Sequence, residues 1–275
     1  MATYSHSKLQ TFEQCLLKYK FRYIDKILVL RKSIEAFLGS IVHETLEWLY
    51  NQVKKRNLPS IDDTIMRYIR QWELKYKPEV YIVNEGLTTK DYFNKGIKFI
   101  LGYYTQHHPF DDNTLETEKK VYIDLDPSGE KKLMGVIDRL AHNPKTDEIE
   151  IHDYKTSNSL PTQEKIEQDK QLAMYSIAIK EEFQNKNVKL IWHYLAFNKK
   201  VHSTRTNEQL EQLKKETIEL IKKIESTVEF PPNKSVLCSW CEYREMCPAW
   251  IQFPEEKVKD IISIRGKGES KEEND

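Results

Sequence analysis

The sequence of 275 residues lacks several features that would assign it to a common class of protein. Residues 1–10 are polar, so the chain shows no apolar N-terminal signal segment, and no apolar run approaches the ~20 residues that cross a bilayer. The sequence contains no internal repeat and no phosphate loop of the G-x-x-x-x-G-K type, which argues against a built-in nucleotide motor. We therefore expect a soluble, cytoplasmic protein that relies on no motor of its own.

The charge balance is equally uninformative about partners. Lys plus Arg and Asp plus Glu number 43 each, so net charge does not indicate a polyanionic ligand, and binding of nucleic acid would need a local basic patch. Hydrophobic residues make up 39% of the chain and charged residues 31%, which is enough for a sizeable core beneath a charged surface.

Cysteine is scarce, and its placement is the strongest signal in the chain. Cys15 stands alone near the start, and Cys238, Cys241 and Cys247 follow near the end with the spacing C-x2-C-x5-C. Four thiolates satisfy either an iron–sulfur cube or a tetrahedral zinc ion. Two disulfides fit poorly, because a chain without a secretion signal normally keeps its thiols reduced. The spacing predicts that both ends of the chain meet on one folded unit.

A basic and aromatic run lies close to Cys15. The cations Lys18, Lys20 and Arg22 alternate with Tyr19, Phe21 and Tyr23. Such alternation suits phosphate contact and base stacking, but an amphipathic helix with a half-buried aromatic stripe would produce the same pattern.

The first half of the chain has the apolar spacing of helices. One predicted helix runs through residues 9–19, is capped by Ser5 or Ser7, and carries Cys15. A second helix follows a break at Gly39.

The rest of the chain mixes helices and strands. A helical block covers about residues 51–108, and its recognition role is not evident. Turn residues and alternating patterns then predict strands over residues 121–125, 133–140, 149–155 and 188–197, and helices over residues 163–183 and 207–226.

Three charged residues fall together on two of the predicted strands. Asp138 interrupts an apolar row on one strand, and Asp153 and Lys155 share a face of the next. Pairing of these strands would bring the three side chains to one place. Two carboxylates with room for water suit Mg2+ or Mn2+, and a neighbouring lysine suits a water nucleophile or a developing phosphoryl charge. An exposed cross-strand salt bridge remains the structural alternative.

Two further features favour chemistry. Gln171 and Tyr175 lie on one face of the helix that follows Lys155. His43, on the second helix, can supply a nitrogen ligand, although a satisfied core or surface histidine explains it as well. The segment after His43 lacks the second histidine of a zinc-protease helix.

Taken in order, these motifs resemble those of a known family. They are a lone cysteine, G-x-x-x-H at Gly39 to His43, G-x-x-D at Gly135 to Asp138, D-x-K at Asp153 to Lys155, Q-x-x-x-Y at Gln171 to Tyr175, and C-x2-C-x5-C. The set is similar to the PD-(D/E)XK nuclease superfamily, and within it to the RecB-like branch with an iron–sulfur cluster, which includes the CRISPR-associated Cas4 nucleases and the AddB nuclease domain. The resemblance spans roughly residues 5–250.

The resemblance implies a fold, a reaction and roles for individual residues. The fold would be α/β, a restriction-endonuclease-like core whose mixed central sheet is flanked by helices, within one domain over residues 1–250. A helical insertion would occupy about residues 51–108 and a cluster-binding segment residues 236–250. The composition beyond Pro254, dominated by Lys, Glu, Asp and Gly, separately predicts a charged flexible tail over residues 254–275. The implied residues are His43, Asp138, Asp153 and the Tyr154 carbonyl as metal ligands, Lys155 as the catalytic lysine, Gln171 and Tyr175 as contacts to DNA, and Cys15, Cys238, Cys241 and Cys247 as ligands of a [4Fe–4S] cluster.

One departure from the family pattern concerns the cluster. The N-terminal cysteine of the family is commonly followed by proline, whereas Leu16 follows Cys15, and only Cys247-Pro248 keeps that feature.

The expected function is metal-dependent cleavage of DNA by an exonuclease acting on single-stranded ends. A separate helicase or a CRISPR integrase would then be a partner. The alternative is a non-catalytic subunit that keeps a nuclease-like fold in order to bind DNA or assemble with other proteins.

Overall fold

The fold is described from a computed structural model for residues 2–126, 128–184 and 186–250. The predicted charged tail over residues 254–275 lies outside these residues. In chain order the strands are β1 Ala2–Ser5, β2 Lys32–Ser33, β3 Val80–Tyr81, β4 Asn113–Asp124, β5 Lys131–Asn143, β6 Glu148–Lys155, β7 Val188–Tyr194 and β8 Lys199–Ser203. The α-helices are α1 His6–Gln14, α2 Leu16–Tyr19, α3 Ile34–Lys54, α4 Ile61–Lys75, α5 Thr89–His107, α6 Gln163–Glu167, α7 Lys170–Glu182 and α8 Asn207–Ser226.

A mixed sheet of six strands forms the centre of the molecule. Its order is β1-β5-β6-β7-β8, and β4 pairs with β5 along the opposite edge of that strand. The β4–β5, β5–β6 and β7–β8 pairs are antiparallel, whereas β6–β7 and β1–β5 are parallel. The predicted mixed sheet flanked by helices is therefore confirmed.

The sheet opens in the middle of β5. On one side of this strand, β1 pairs with residues 131–134 and β6 pairs with residues 139–143. Residues 135–138 therefore have β4 on one side and neither β1 nor β6 on the other. Asp138 lies at the closed end of this gap, one residue before the β5–β6 ladder begins at Arg139.

Helices cover the sheet through two apolar cores. Residues of α1, α7 and α8 pack with the strands around Ile151 and Trp192, both of which are fully buried. The long helices α3, α4 and α5 form a second core that also includes Tyr154 and Leu195. Tyr154 therefore links the strand of the candidate site to the α3–α5 helices.

Capping side chains determine where several helices begin. Ser60, Thr88 and Thr206 each accept a hydrogen bond from the backbone N–H three residues later, and the side chain at that later position accepts from the cap N–H in return. Capping boxes of this kind satisfy helix N–H groups that have no partner within the helix. The sequence predicted Ser5 or Ser7 as the cap of the first helix, and Ser5 caps α1.

Three predicted helix boundaries were wrong. Cys15 does not lie within a helix, because its extended backbone (φ −161°, ψ 116°) separates α1 from α2. Gly39 does not break a helix but lies inside α3, where an added Cβ would lie 3.2 Å from the Thr156 hydroxyl. The predicted helix over residues 163–183 is interrupted because Asp169 starts a new helix by accepting from the Leu172 N–H at 3.2 Å.

The strands β1, β2, β3 and β8 were not predicted from the sequence. The predicted strand over residues 188–197 ends at Tyr194 in a short 3-10 turn, and the chain then returns as β8. Among the helices of the described residues, none combines the length and apolarity needed to cross a membrane.

Candidate active site and cysteine cavity

Asp138 is held in place by the backbone of the neighbouring strand. Its Oδ2 accepts a hydrogen bond from the Tyr154 N–H at 2.9 Å. This contact replaces a strand-to-strand hydrogen bond at the point where the β5–β6 ladder ends. The carboxylate is therefore fixed beside the segment Asp153-Tyr154-Lys155, as strand pairing had predicted.

His43 reaches the same place from the middle of α3. Its Nε2 lies 2.7 Å from the Tyr154 carbonyl oxygen, and its Nδ1 lies 3.3 Å from Asp138 Oδ2. Burial acts to lower the pKa of His43, but the Asp138 carboxylate and the Tyr154 carbonyl raise it to about 9. An imidazolium that donates to both oxygens accounts for this, because each ring nitrogen then faces an acceptor.

Asp153 and Lys155 form a buried ion pair beside this group. Asp153 is only 4% exposed, and its Oδ2 lies 2.7 Å from Lys155 Nζ, although the direction is too oblique for a hydrogen bond. Burial raises the pKa of Asp153; burial acts to lower the pKa of Lys155, but the Asp153 carboxylate raises it overall. Lys155 Nζ also donates to Gln171 Oε1 at 3.2 Å, which aims the ammonium from α7.

Tyr175 packs against the gap in the sheet. A Cβ added to Gly135 would lie 2.1 Å from Tyr175 Cε1, so the ring lies directly on the glycine backbone. Tyr175 is 6% exposed. Gly135, the first residue of the predicted G-x-x-D motif, is thus needed to let α7 bring Tyr175 and Gln171 close to the site.

A cleft of about 470 Å³ opens beside His43 and Asp138, and its wall is acidic. Glu47 and Glu118 line it together with Glu35 and Glu44. Burial, followed by the charges of Asp138 and Glu47, raises the pKa of Glu118 to about 6. Sequence reasoning missed these residues, although Glu47 follows His43 at the helical i+4 spacing and was therefore detectable.

A buried polar network lies directly behind the site. Arg139 is 1% exposed, and its guanidinium donates to Asp112, to Thr114 Oγ1 at 3.2 Å and to His152 Nδ1 at 2.9 Å. His152 Nδ1 also lies 2.9 Å from His193 Nε2. Arg139 and His152 are the immediate sequence neighbours of Asp138 and Asp153. The network therefore joins β5 to β6 next to the candidate metal ligands.

The donor set suits a hard divalent cation. The oxygens of Asp138, Asp153 and the Tyr154 carbonyl match Mg2+ or Mn2+, whereas the His43 nitrogen can join them only after the ring loses a proton. Asp153 Oδ2 is buried and already lies 2.7 Å from Lys155 Nζ, so a cation bound here would share this oxygen with the ammonium group. Within the described residues, no three side chains of His, Cys, Asp or Glu stand close enough as placed to form a metal group.

The four cysteines line one cavity, where residues 14–21 meet residues 232–250. All four are free thiols of intermediate exposure around a cavity of about 50 Å³. The Asn233 N–H donates to Cys15 Sγ at 3.4 Å, and the Ser235 N–H donates to Cys238 Sγ at 3.3 Å. The segment around Cys15 is thus adjacent to residues 233–238, with Asn233 bridging the two through a second bond to the Gln14 carbonyl at 2.9 Å.

The basic and aromatic run contributes to the same junction. Lys18 lies 3.1 Å from Glu242, Arg22 binds the same carboxylate, and Lys20 lies 3.3 Å from Asp25. Two of the three cations therefore connect the N-terminal segment to the cysteine-rich segment. Their predicted contact with DNA stays a prediction.

Comparison with protein families matches residues 3–248 to the PD-(D/E)XK nuclease superfamily. Among solved structures, the chain is similar to one titled "Crystal structure of SSO0001", with 18% sequence identity and a TM-score of 0.33 over 77% of this chain and 96% of that chain. Comparison with curated proteins finds no match.

Proposed function

Because the chain belongs to the PD-(D/E)XK nuclease superfamily, whose members are typically divalent-metal-dependent nucleases, we propose that it hydrolyses DNA phosphodiester bonds. More narrowly, we propose an exonuclease that acts on single-stranded ends in DNA repair, recombination or CRISPR adaptation. The observation that carries the proposal is the convergence of His43, Asp138 and the Tyr154 carbonyl, with Asp153 and Lys155 adjacent.

The residues divide into ligands and positioning groups. His43, Asp138, Asp153 and the Tyr154 carbonyl would hold Mg2+ or Mn2+. The metal, when bound, supplies an activated water and stabilises charge on the phosphate. Lys155 would orient that water or neutralise the developing phosphoryl charge, as preorganised cations do. Gln171 positions Lys155 through its 3.2 Å hydrogen bond. Gln171 and Tyr175 would both lie near the bound DNA.

The test is cleavage of end-labelled single-stranded and duplex DNA with Mg2+ or Mn2+. We expect metal-dependent cleavage by the wild-type protein and none by Asp153→Ala. The matched control is Asp124→Ala, which removes a carboxylate that is 61% exposed on β4 and should leave activity unchanged. Retained cleavage in a folded Asp153→Ala protein contradicts the site. DNA binding without any wild-type cleavage favours the non-catalytic alternative.

The four cysteines support a second part of the proposal, which is a [4Fe–4S] cluster. They line a common cavity, and backbone N–H groups already point at two of the sulfur atoms, as they do around cluster ligands. In this role the cluster is a structural link between the two ends of the chain. Protein purified without oxygen should be brown and contain four irons, whereas a colourless protein containing one zinc ion contradicts the proposal.

A helicase or a CRISPR integrase remains a proposed partner. The basis is the absence of a phosphate loop from the sequence together with the resemblance to the RecB-like branch.

A further inference from the structure

A surface groove of about 640 Å³ lies between the segment after Arg22 and the cysteine-rich segment. We call it the 22–32 groove, since residues 22 and 26–32 supply much of its wall. Leu28 and Leu30 are 76% and 77% exposed, and Trp240 across the groove is 42% exposed. Apolar side chains this exposed and this close together usually mark a binding surface.

The exposed leucines are not a by-product of poor packing. The intervening Ile27 and Val29 turn inward and pack against Phe21, Tyr243 and Met246. The side chains of residues 27–30 thus alternate, so that one face of the segment packs on a small core and the other face is exposed to solvent. Within the described residues, Ile27 and Val29 pack the segment against the small core, whereas Leu28 and Leu30 remain exposed.

The walls of the groove are positively charged. Arg22, Lys26, Arg31 and Lys32 line it, against the single carboxylate of Glu242. Arg22 binds Glu242, and Arg31 binds Glu245 outside the groove. Within the part of the chain that the structure describes, Lys26 and Lys32 form no ion pair. The groove therefore offers cations next to apolar surface, which suits a ligand that carries both negative charge and apolar faces.

The groove adjoins the acidic cleft of the candidate active site. Ala36, in the first turn of α3, lines both the groove and the acidic cleft that contains His43 and Asp138. Lys32 Nζ donates to Ser40 Oγ at 2.6 Å, and Ser40 also lines the cleft. A ligand that occupies the groove can thus extend over the start of α3 to the metal ligands.

We propose that the 22–32 groove binds single-stranded DNA and directs it to the candidate active site. The proposal rests on the proposed nuclease function and names the surface on which its single-stranded substrate binds. An unpaired strand exposes base faces to apolar and aromatic side chains and phosphates to cations, whereas a duplex hides its base faces in the stack. Trp240 and the two leucines would contact bases, and Lys26 and Lys32 would contact phosphates.

Binding is measured without cleavage in the Asp153→Ala background, by fluorescence anisotropy with fluorescein-labelled 20-nucleotide oligothymidine and with a 20-base-pair duplex. Trp240→Ala and the double variant Leu28→Ser/Leu30→Ser should each weaken binding of the single strand about tenfold or more. Lys26→Ala should weaken it less and reduce the slope of log affinity against log salt by about 0.7. The matched controls are Leu74→Ser, at a leucine 74% exposed on α4, and Lys222→Ala on α8.

The outcomes separate the groove from the nuclease. Unchanged single-strand affinity in the Trp240 and leucine variants overturns the groove and leaves the exposed leucines for a protein partner. Equal losses for single strand and duplex also overturn it. Hydrolysis of thymidine 5′-p-nitrophenyl phosphate, which is too short to fill the groove, tests the nuclease proposal separately and should be the same in wild-type protein and the Leu74→Ser control. If the wild-type protein hydrolyses neither substrate but the variants lose single-strand binding, the groove stands and the nuclease proposal fails.

Discussion

Replacing Arg139 by methionine should destabilise the protein more than any other single removal of a charge. The guanidinium is 1% exposed, donates to Asp112, Thr114 and His152, and lies 4.1 Å above the Tyr50 ring. Methionine can fill much of the space but cannot donate. Breaking a buried ion pair by removing one partner typically costs about 3–5 kcal/mol, because the other charge stays behind.

The expected loss of stability lies at the lower end of that range because Asp112, the ion-pair partner, is partly exposed. Asp112 is 31% exposed, so water can solvate part of the carboxylate once Arg139 is gone. We therefore expect a loss of about 3 kcal/mol in the free energy of unfolding. For a chain of this size that corresponds to a fall in melting temperature of roughly 10 °C.

The assay is urea and thermal unfolding followed by circular dichroism. Arg70→Met on α4 is the matched control, because Arg70 is exposed and should change stability by less than about 0.5 kcal/mol. Adding Asp112→Asn to Arg139→Met should cost less than the sum of the two single changes, with a coupling of about 1–3 kcal/mol. A loss below about 1 kcal/mol for Arg139→Met, or an additive double variant, would refute this account of the network.

Three other predictions concern the gap in the sheet, the buried histidines and the chain ends. Gly135→Ala should cost about 1–3 kcal/mol and displace the Tyr175 ring, detected as lower stability together with slower cleavage; unchanged values of both would contradict the close contact. Burial and the Arg139 charge hold the pKa of His152 and of His193 well below 6.5, so the unfolded chain binds more protons than the folded protein at low pH. The free energy of unfolding should therefore fall as pH drops below 6.5, by up to about 1.4 kcal/mol per pH unit for each histidine. His193→Gln should reduce this pH slope in urea titrations of metal-free protein, and an unchanged slope would count against the explanation. Cys15→Ser should abolish the brown colour. Its melting temperature should be about 10 °C below that of cluster-loaded wild-type protein but close to that of cluster-free wild-type protein. A melting temperature equally far below both would indicate a packing defect instead.

Elements with strong local patterns were predictable from the sequence. The amphipathic helix α8 was predicted to begin at Asn207 and end at Ser226, and these are its observed bounds. The strands around Asp138 and Asp153 were placed correctly because turn residues and alternation agreed. That agreement also brought Asp138, Asp153 and Lys155 to the same end of the sheet, although the role of each residue in chemistry stays a prediction.

Features that depend on distant contacts were not predictable. β1 is a short polar segment whose only reason to be a strand is its pairing with residues 131–134 of β5. Arg139, a charged residue on a strand, would normally be placed at the surface. Its burial requires Asp112, His152 and Tyr50, which come from three other parts of the chain. By contrast, the cap at Asp169 was a local signal and was simply overlooked.

The junction of the chain ends has a consequence for folding during synthesis. Arg22 binds Glu242, 220 residues further along, and β1 pairs with β5. At typical rates of translation the N-terminal segment must wait on the order of tens of seconds for the last of its partners. During that time Phe12 and Phe21, both buried in the finished fold, can pack only against nearby residues such as Tyr19, Ile27 and Val29. The segment around Phe12 and Phe21 is therefore completed late, and it is a part of the nascent chain that a chaperone would need to protect.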